Sequence, residues 1–191
     1  RRRAAYDEGG HAIVGMLTPA ADPVRKISII PRGMALGVTF SAPDADRFSY
    51  LEPEILAKIK GALGGRAAEE IVFGEITTGA SNDLEKVTAT AKQMVMRFGM
   101  SEKLGPRVFG HDHGQPFLGR EFSAEPDYSD EIAREIDDEI RRIVETAHQR
   151  AKDLLTEYRE QLGTISEILV KRETIEKEEF AALLAGKTEE E

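Results

Sequence analysis

Residues 129–162, SDEIAREIDDEIRRIVETAHQRAKDLLTEYREQL, decide the fold class of this chain. Apolar residues recur there at helical steps, and charged residues fill most positions between them. This spacing predicts one amphipathic helix of about nine turns, whose apolar face lies in the core or at a subunit interface. The residues of that face are Ile132, Ile136, Ile140, Ile143, Ala147, Leu154, Tyr158 and Leu162. So long a helix in a chain of 191 residues indicates a mainly α protein.

The segments on either side of this helix are predicted to be shorter or irregular. Two short helices are predicted around residues 165–170 and 175–184, and the tail at 187–191 is expected to be disordered. Upstream, residues 99–126 contain many glycines and prolines and have no sustained periodicity. They are predicted to form a long irregular segment with at most a short strand at residues 107–109.

The first 40 residues are predicted to form one helix and two strands. Residues 1–17 carry small and apolar residues at helical spacing, and Pro19 ends the pattern. Residues 26–30 and 34–40 are short, and a Pro-Arg-Gly turn signal separates them, so they predict two strands. The second strand contains or adjoins glycines, which is typical of a sheet edge that can accept an extended peptide.

A further helix is predicted to begin at the Ser-x-x-Glu-Pro signature of residues 49–53 and to continue or resume to residue 71. Its interior contains Gly61, Gly64 and Gly65. Each glycine costs roughly 1 kcal/mol of helix stability relative to alanine. They are therefore expected to permit close packing against another element.

The next helix is predicted from a capping box at residues 82–85 and an apolar face that extends to Phe98. Asp83 falls in its first turn. The loop before it, residues 74–79, begins and ends with glycine.

The composition excludes several classes of function and site. The net charge is −9, and acidic and basic residues are interspersed, which argues against nucleic-acid binding. The chain has no cysteine, so disulfides and thiolate zinc sites are excluded, and any metal would need His, Asp or Glu ligands. No apolar run reaches 18 residues, so this piece is expected to be soluble as written. Its start at Arg1 is typical of an excised fragment.

A candidate metal-binding motif lies on the first predicted helix. Asp7 and His11 are four residues apart and share one face, with Glu8 beside them. Zincins hold a metal with two ligands one turn apart and use the intervening glutamate to take a proton from water, although their first ligand is histidine. Acidic residues at a helix start and a packed histidine remain the alternative interpretation. Gly9 and Gly10 inside the helix favour the close approach of another element.

Five separated segments carry a family resemblance: AYDEGGHA (5–12), IIPRGMALGVT (29–39), GGRAAEE (64–70), TGASND (78–83) and GMSEKLGP (99–106). In this order they closely resemble the FtsH/AAA family of membrane-bound zinc proteases. The resemblance covers nearly the whole chain. It implies a zincin-like helical peptidase domain with a small β-sheet near the active site and a C-terminal helical bundle.

The domain boundaries are expected to follow the same resemblance. We expect a single peptidase domain at residues 1–186, before the tail. Residues 1–127 would form its metal-site part. Residues 128–186 would form its C-terminal helical part.

The resemblance also implies roles for single residues. His11 matches the second zinc-binding histidine and Asp83 matches the aspartate that supplies the third ligand. One Zn2+ per chain would then be held by Asp7, His11 and Asp83, with the fourth position open to water. Glu8 matches the catalytic glutamate, which passes a proton from water to the leaving amine. Glu69 is interpreted as a partner that orients a ligand, with a solvated helix carboxylate as the alternative.

A substrate-binding strand is implied in the same way. The strand along which the family aligns substrate matches Gly33, Met34, Ala35, Leu36, Gly37, Val38 and Thr39. Pairing of this kind reads main chain more than side chains, so low sequence specificity is expected, although each residue could equally lie in an ordinary edge strand. His111 and His113 resemble a second metal tract, but they are interpreted as exposed residues of a glycine-rich loop.

Asp7 departs from the family at a ligand position. Aspartate can bind zinc through oxygen, but it is shorter than histidine and charged, so weakened or absent zinc and reduced proteolysis are expected. The chain is therefore either a zinc endopeptidase or a catalytically inactive, oligomeric peptide-binding scaffold. Whether Asp7 is natural or introduced stays open. Gly9, where the family more often has alanine, is a milder departure that costs helix stability.

The resemblance implies a larger parent protein. Upstream there would be an AAA ATPase module that uses ATP and Mg2+, and one or two helices that make the only contact with the membrane. The parent would be a homo-hexamer that degrades unfolded or misassembled polypeptides in protein quality control. It would be anchored in the bacterial plasma membrane or an organelle membrane, with this domain on the cytoplasmic or matrix/stromal side.

Overall fold

The computed structural model describes residues 1–30, 38–41, 49–110 and 126–186, and for residues 38–41 it describes the backbone alone. These ranges contain six helices and three strands, which confirms the mainly α class. In chain order they are α1 (Arg2–Leu17), β1 (Val24–Ser28), β2 (Val38–Ser41), α2 (Glu52–Phe73), α3 (Ser81–Met96), α4 (Asp130–Glu157), α5 (Arg159–Arg172), β3 (Thr174–Glu176) and α6 (Lys177–Leu184). A 3-10 turn at Thr78–Ala80 leads directly into α3.

The first hydrophobic core joins the beginning of the chain to its end. It combines residues of α1, β1 and the end of α2 with residues of four later elements. These are the last turns of α4, together with α5, β3 and α6. Ala5, Ala12 and Ile13 of α1 are completely buried in it. Because α1 packs mainly against both α2 and α5, the helix that carries the candidate metal motif is fixed from more than one side.

The second hydrophobic core fixes α3. It combines the first half of α2 with α3, the segment after α3 and the first half of α4. Met94 and Phe109 are its largest fully buried side chains beside Ile59 and Leu63. The Phe109 ring also meets that of Tyr128 edge to face, with centroids 5.9 Å apart. α2 takes part in both cores, so it connects α1 to α3.

The sheet is antiparallel, with strand order β2-β1-β3. Ile27 of β1 pairs with Thr39 of β2 on one side and Ile175 of β3 on the other. Both predicted strands are confirmed within the described residues, and β2 lies at an edge, as expected. The helix predicted to start at residue 175 begins only at Lys177. The predicted helix is confirmed as α6, and only its start differs, because β3 pairs with a strand about 150 residues away, which local periodicity cannot reveal.

The predicted nine-turn helix is two helices. α4 ends at Glu157 and α5 begins at Arg159, with φ −100° and ψ 30° at Tyr158 between them. The single-helix prediction was wrong because the apolar periodicity continues through the break. Tyr158 still accepts a backbone hydrogen bond from Leu162 at 2.9 Å, and Leu162 is fully buried on α5. The short helix predicted at residues 165–170 is part of α5.

The starts of α2 and α3 differ from the predicted caps. α2 is one continuous helix whose N-cap is Leu51, and the backbone N–H of Leu51 donates to the carboxylate of Glu54 at 3.2 Å. A cap at Ser49 was therefore wrong. α3 follows the 3-10 turn without a side-chain cap of its own. The capping box predicted at residues 82–85 was wrong because the preceding turn already starts the helical path.

The segment after α3 turns repeatedly. Gly99, Gly105 and Gly110 have φ of 63°, 75° and 80°, a left-handed conformation that favours glycine. Residues 99–110 contain no strand, so the optional short strand at residues 107–109 is not formed. Across the described ranges, no helix is long and apolar enough to span a membrane. His111, His113 and the tail at 187–191 lie outside the described residues.

Candidate metal centre

Asp7 and His11 lie one turn apart on α1, on the side that faces α2. Oδ2 of Asp7 is 3.5 Å from Nε2 of His11. Both side chains are partly buried, at 29 % and 15 % exposure, and Glu8 beside them is buried. This arrangement requires only the helical repeat, because positions i and i+4 of a helix are neighbours.

Asp83 reaches the same nitrogen from a different helix. It lies in the first turn of α3, and its Oδ2 is 3.2 Å from Nε2 of His11. The structure therefore brings together the three side chains that the sequence proposes as ligands. Their role as ligands stays a prediction.

The other nitrogen of the His11 ring contacts the backbone of α2. Nδ1 lies 2.8 Å from the carbonyl oxygen of Gly61. A carbonyl oxygen can only accept, so Nδ1 carries the hydrogen and donates it. In the neutral ring Nε2 then has the lone pair, and it faces Asp7 and Asp83. This is the tautomer that a metal ligand needs, and a backbone carbonyl is a common means of fixing it.

The two carboxylates also favour a proton on His11. Burial of the ring lowers its pKa, but the hydrogen bonds and charges of Asp7 and Asp83 outweigh burial. The pKa of His11 therefore lies well above its usual range. The same negative charge that attracts a metal cation to Nε2 thus attracts a competing proton.

Gly65 of α2 leaves room for these side chains. A Cβ at this position would lie 2.2 Å from Oδ1 of Asp7 and 2.6 Å from Nε2 of His11. Both distances are far inside van der Waals contact, so any larger residue would force the site to move. The expectation that this glycine permits a close approach is confirmed.

Gly10 and Gly64 bring α1 and α2 into direct backbone contact. A Cβ at Gly10 would lie 2.4 Å from the carbonyl oxygen of Gly64, and a Cβ at Gly64 would lie 2.6 Å from that of Gly10. The expected packing role is confirmed at both positions. At Gly61 it is wrong, because a Cβ there would meet no atom of the described residues within 4 Å. Gly61 acts through its carbonyl group instead.

The donor set suits zinc in kind, and two of its interatomic distances are close to those of a zinc site. One imidazole nitrogen and two carboxylates are ligands that zinc accepts. Ligand atoms about 2.0–2.1 Å from a tetrahedral zinc are about 3.3–3.4 Å from one another. The distances from Nε2 of His11 to Asp7 and Asp83, 3.5 and 3.2 Å, bracket this value. In the described ranges no three His, Cys, Asp or Glu side chains have the full arrangement that holds a metal, so binding would require the carboxylates to adjust around Nε2.

Glu69 lies on α2, one turn after Gly65. It is only 5 % exposed, so it is not a solvated carboxylate. It accepts hydrogen bonds from the backbone N–H and the hydroxyl of Thr77, at 3.3 and 3.0 Å. The guanidinium of Arg3 is 3.7 Å away on α1. The contacts of Glu69 are thus with the segment that leads to Asp83, which is compatible with an indirect orienting role.

The proposed substrate strand is described only in part. Val38 and Thr39 lie in β2 at the sheet edge. Gly33, Met34, Ala35, Leu36 and Gly37 fall outside the described residues, so their predicted role stays a prediction.

Sequence reasoning did not identify the contributions of Gly61 and Thr77. Gly61 acts through its backbone carbonyl, which every residue has, so its identity carries no signal. Thr77 precedes a matched segment by one residue, and its position six residues before Asp83 was the only available hint.

Comparisons with known proteins show the family of this chain. The profile of Peptidase family M41 matches residues 1–183. ATP-dependent zinc metalloprotease FtsH 1 of Conexibacter woesei is 72 % identical over 191 residues, which are 100 % of this chain and 29 % of that protein. FtsH of Rubrobacter xylanophilus is 54 % identical over 180 residues, covering 94 % of this chain and 28 % of the relative. FtsH of Bacillus subtilis is 50 % identical over 185 residues, covering 96 % and 29 %.

The chain spans less than a third of the length of these relatives. The family profile, in contrast, covers it almost completely. On this match the chain belongs to peptidase family M41.

Proposed function

We propose that this chain is the zinc-dependent endopeptidase domain of a membrane-anchored, ATP-dependent protease. The observation that carries the proposal is the meeting of Asp7, His11 and Asp83, from two helices, at one imidazole nitrogen. The family membership and the names of the relatives, which are zinc metalloproteases, support the same chemistry.

Asp7, His11 and Asp83 would hold the ion through two carboxylate oxygens and Nε2. The Gly61 carbonyl keeps the His11 ring in place from its other side. Zinc, when bound, supplies a Lewis acid that polarises a scissile carbonyl and makes a water molecule more acidic.

Glu8 is the proposed general base. It follows Asp7 directly on α1 and is buried beside the site. Its carboxylate takes a proton from the attacking water while the water oxygen bonds to the carbonyl carbon. The proton then passes to the amine nitrogen as the carbon–nitrogen bond breaks, which restores the Glu8 carboxylate.

An unfolded polypeptide is the proposed substrate. β2 lies at a sheet edge, where an extended chain can add as a further strand through backbone hydrogen bonds. Such binding is nearly independent of side chains, which suits degradation of unfolded or misassembled proteins in quality control. The ATPase module with its ATP and Mg2+, the membrane helices and the homo-hexamer would belong to the parent protein. The domain would work on the cytoplasmic or matrix/stromal side.

Asp7 favours a second candidate function, a catalytically inactive scaffold that binds peptides. A charged, shorter ligand at this position would weaken zinc binding, because the carboxylate must reach as far as an imidazole would. The β2 edge would retain its capacity for peptide binding in such a protein.

Casein cleavage separates the two functions. We would compare the native chain, Asp7→His and the double variant Asp7→His/Glu8→Gln, each supplied with zinc at neutral pH. An endopeptidase predicts clear cleavage by Asp7→His, weak cleavage by the native chain and none by the double variant, which controls for contaminating proteases. A folded native chain that leaves casein intact, beside an Asp7→His variant that cleaves it, would support the scaffold and refute the enzyme for the native chain.

A further inference from the structure

We propose that Thr77 is a positioning residue. It is anchored on Glu69 and fixes Asp83 by fixing the start of α3. This inference rests on the proposed function in one respect, which is that it takes Asp83 as a metal ligand. The claim that Thr77 determines where α3 begins does not depend on a metal. It rests on the hydrogen bonds of Thr77 to Glu69 and Gly79.

Glu69 provides the fixed end of this connection. Its carboxylate is almost fully buried on α2, and a buried charge requires hydrogen bonds to replace water. The backbone N–H and the hydroxyl of Thr77 both donate to it. These two hydrogen bonds, at 3.3 and 3.0 Å, join Thr77 to the side of α2.

The hydroxyl of Thr77 transmits this position to α3. It donates to Oε1 of Glu69 and accepts from the backbone N–H of Gly79 at 3.2 Å. Its hydrogen and one lone pair are thus both used, which only a hydroxyl side chain can do here. Gly79 lies in the 3-10 turn that continues into α3, so the first turn of α3 is tied to α2.

Among the described residues, few other contacts hold residues 74–79 in place. α2 ends at Phe73, and its C-cap Gly74 has a φ of 70°, which turns the chain back. Residues 74–79 are all exposed. Ala80 is the first buried residue after them. Within residues 74–79 apolar burial therefore contributes little, and the polar contacts of Thr77 set the register of the turn that leads into α3. Three residues further on, Asp83 places its carboxylate 3.2 Å from His11.

The test compares Thr77→Val, which removes the hydroxyl at constant shape, with Thr77→Ser, which keeps it. Thr156→Val is the matched control. Thr156 is an exposed threonine of α4 whose hydroxyl donates to the Lys152 carbonyl at 2.8 Å, distant in sequence from the site.

Two readouts are made without metal, on variants that keep the native Asp7. Thr77→Val should raise amide hydrogen exchange at residues 79–83 by about 10-fold, and it should shift the ring nitrogen signals of His11, which report the contact with Asp83. The third readout is Co2+ binding, followed by its visible spectrum in the Asp7→His background. We expect Thr77→Val to weaken Co2+ about 10-fold, as loss of a ligand's supporting contact typically does. Thr77→Ser should restore all three, and Thr156→Val should change none.

Unchanged exchange and unchanged His11 signals in folded Thr77→Val would overturn the proposal. Faster exchange with the His11 signals and the Co2+ spectrum unaltered would also overturn it, because Thr77 would then be only a local cap. If no variant binds Co2+, the proposed function fails instead, and exchange and the His11 signals still decide the role of Thr77. Should Thr77→Val unfold, Glu69→Gln replaces it, because it removes the charge that Thr77 contacts. We expect the same faster exchange, shifted His11 signals and weaker Co2+ binding.

Discussion

A Cβ at Gly65 would lie 2.2 Å from Oδ1 of Asp7, so the backbone of α2 lies directly against the candidate metal ligands. α2 also supplies the Gly61 carbonyl that contacts His11 and the Glu69 carboxylate that contacts Thr77. The helix therefore shapes the site without contributing a ligand of its own to the proposed set. This arrangement makes the glycines of α2 a sensitive test of the site.

Gly65→Ala is expected to abolish or strongly weaken metal binding. The added methyl group occupies the space of the Asp7 and His11 side chains, so the ligands must move apart. We expect at least a ~100-fold loss of Co2+ affinity in the Asp7→His background, measured by titration, at the upper end of what loss of a supporting contact costs.

Gly61→Ala is the matched control for this substitution. It lies one turn earlier on the same helix, and within the described part of the chain its Cβ would meet nothing within 4 Å. It should retain metal binding and gain about 1 kcal/mol of stability from helix propensity. Equal metal affinities in the two variants would show that Gly65 does not shape the site.

Gly10→Ala is expected to destabilise the whole domain. The new Cβ would lie 2.4 Å from the Gly64 carbonyl oxygen and 2.8 Å from Cβ of Ala68, which forces α1 and α2 apart. We expect a loss of about 1–3 kcal/mol in the free energy of unfolding, measured by urea denaturation. Gly15→Ala, also on α1, would meet Val24 alone among the described residues, at an ordinary 3.4 Å, and should not be destabilising. Similar midpoints for the two variants would contradict the close contact of the helices.

Glu139 is expected to make stability depend on acid pH. Its carboxylate accepts from Arg142 at 2.6 Å and from the Ser101 hydroxyl at 2.5 Å. The Arg142 hydrogen bond in particular holds the pKa of Glu139 below its usual range, against the opposing effect of burial. A lowered pKa in the folded state means that this stabilisation is fully present above the unfolded pKa. It is lost as the pH falls through the folded one.

Glu139→Gln should therefore lower the free energy of unfolding by about 1–2 kcal/mol at neutral pH. It should also remove the loss of stability at acid pH that protonation of Glu139 causes. Unfolding curves from neutral to acid pH measure both effects. Glu145→Gln removes the acid of an exposed pair with Arg141 and should leave the curves unchanged, because exposed pairs contribute little. An acid dependence in Glu139→Gln identical to that of the native chain would contradict the assignment.

Local patterns predicted most helices but not the points where tertiary contacts intervene. The break at Tyr158 is invisible because the apolar repeat continues across it. β3 depends on pairing between Ile175 and Ile27, which are far apart in sequence. The start of α3 was misplaced because the preceding segment is held by Glu69, a residue of another helix.

The candidate site was predictable only in part. The spacing of Asp7 and His11 follows from one helical turn, so the sequence alone places them together. Asp83 has no local link to them and was found through family resemblance. The Gly61 carbonyl could not be found at all, since a backbone group leaves no trace in residue identity.

Zinc content, measured in the native chain and in Asp7→His after equilibration with zinc at neutral pH, tests the zinc site most directly. We predict close to one zinc per chain in Asp7→His, clearly less in the native chain, and a parallel rise in casein cleavage. A native chain that matches Asp7→His in zinc content and cleavage would contradict the predicted weakening by Asp7. Absence of zinc from both would contradict the metal site itself.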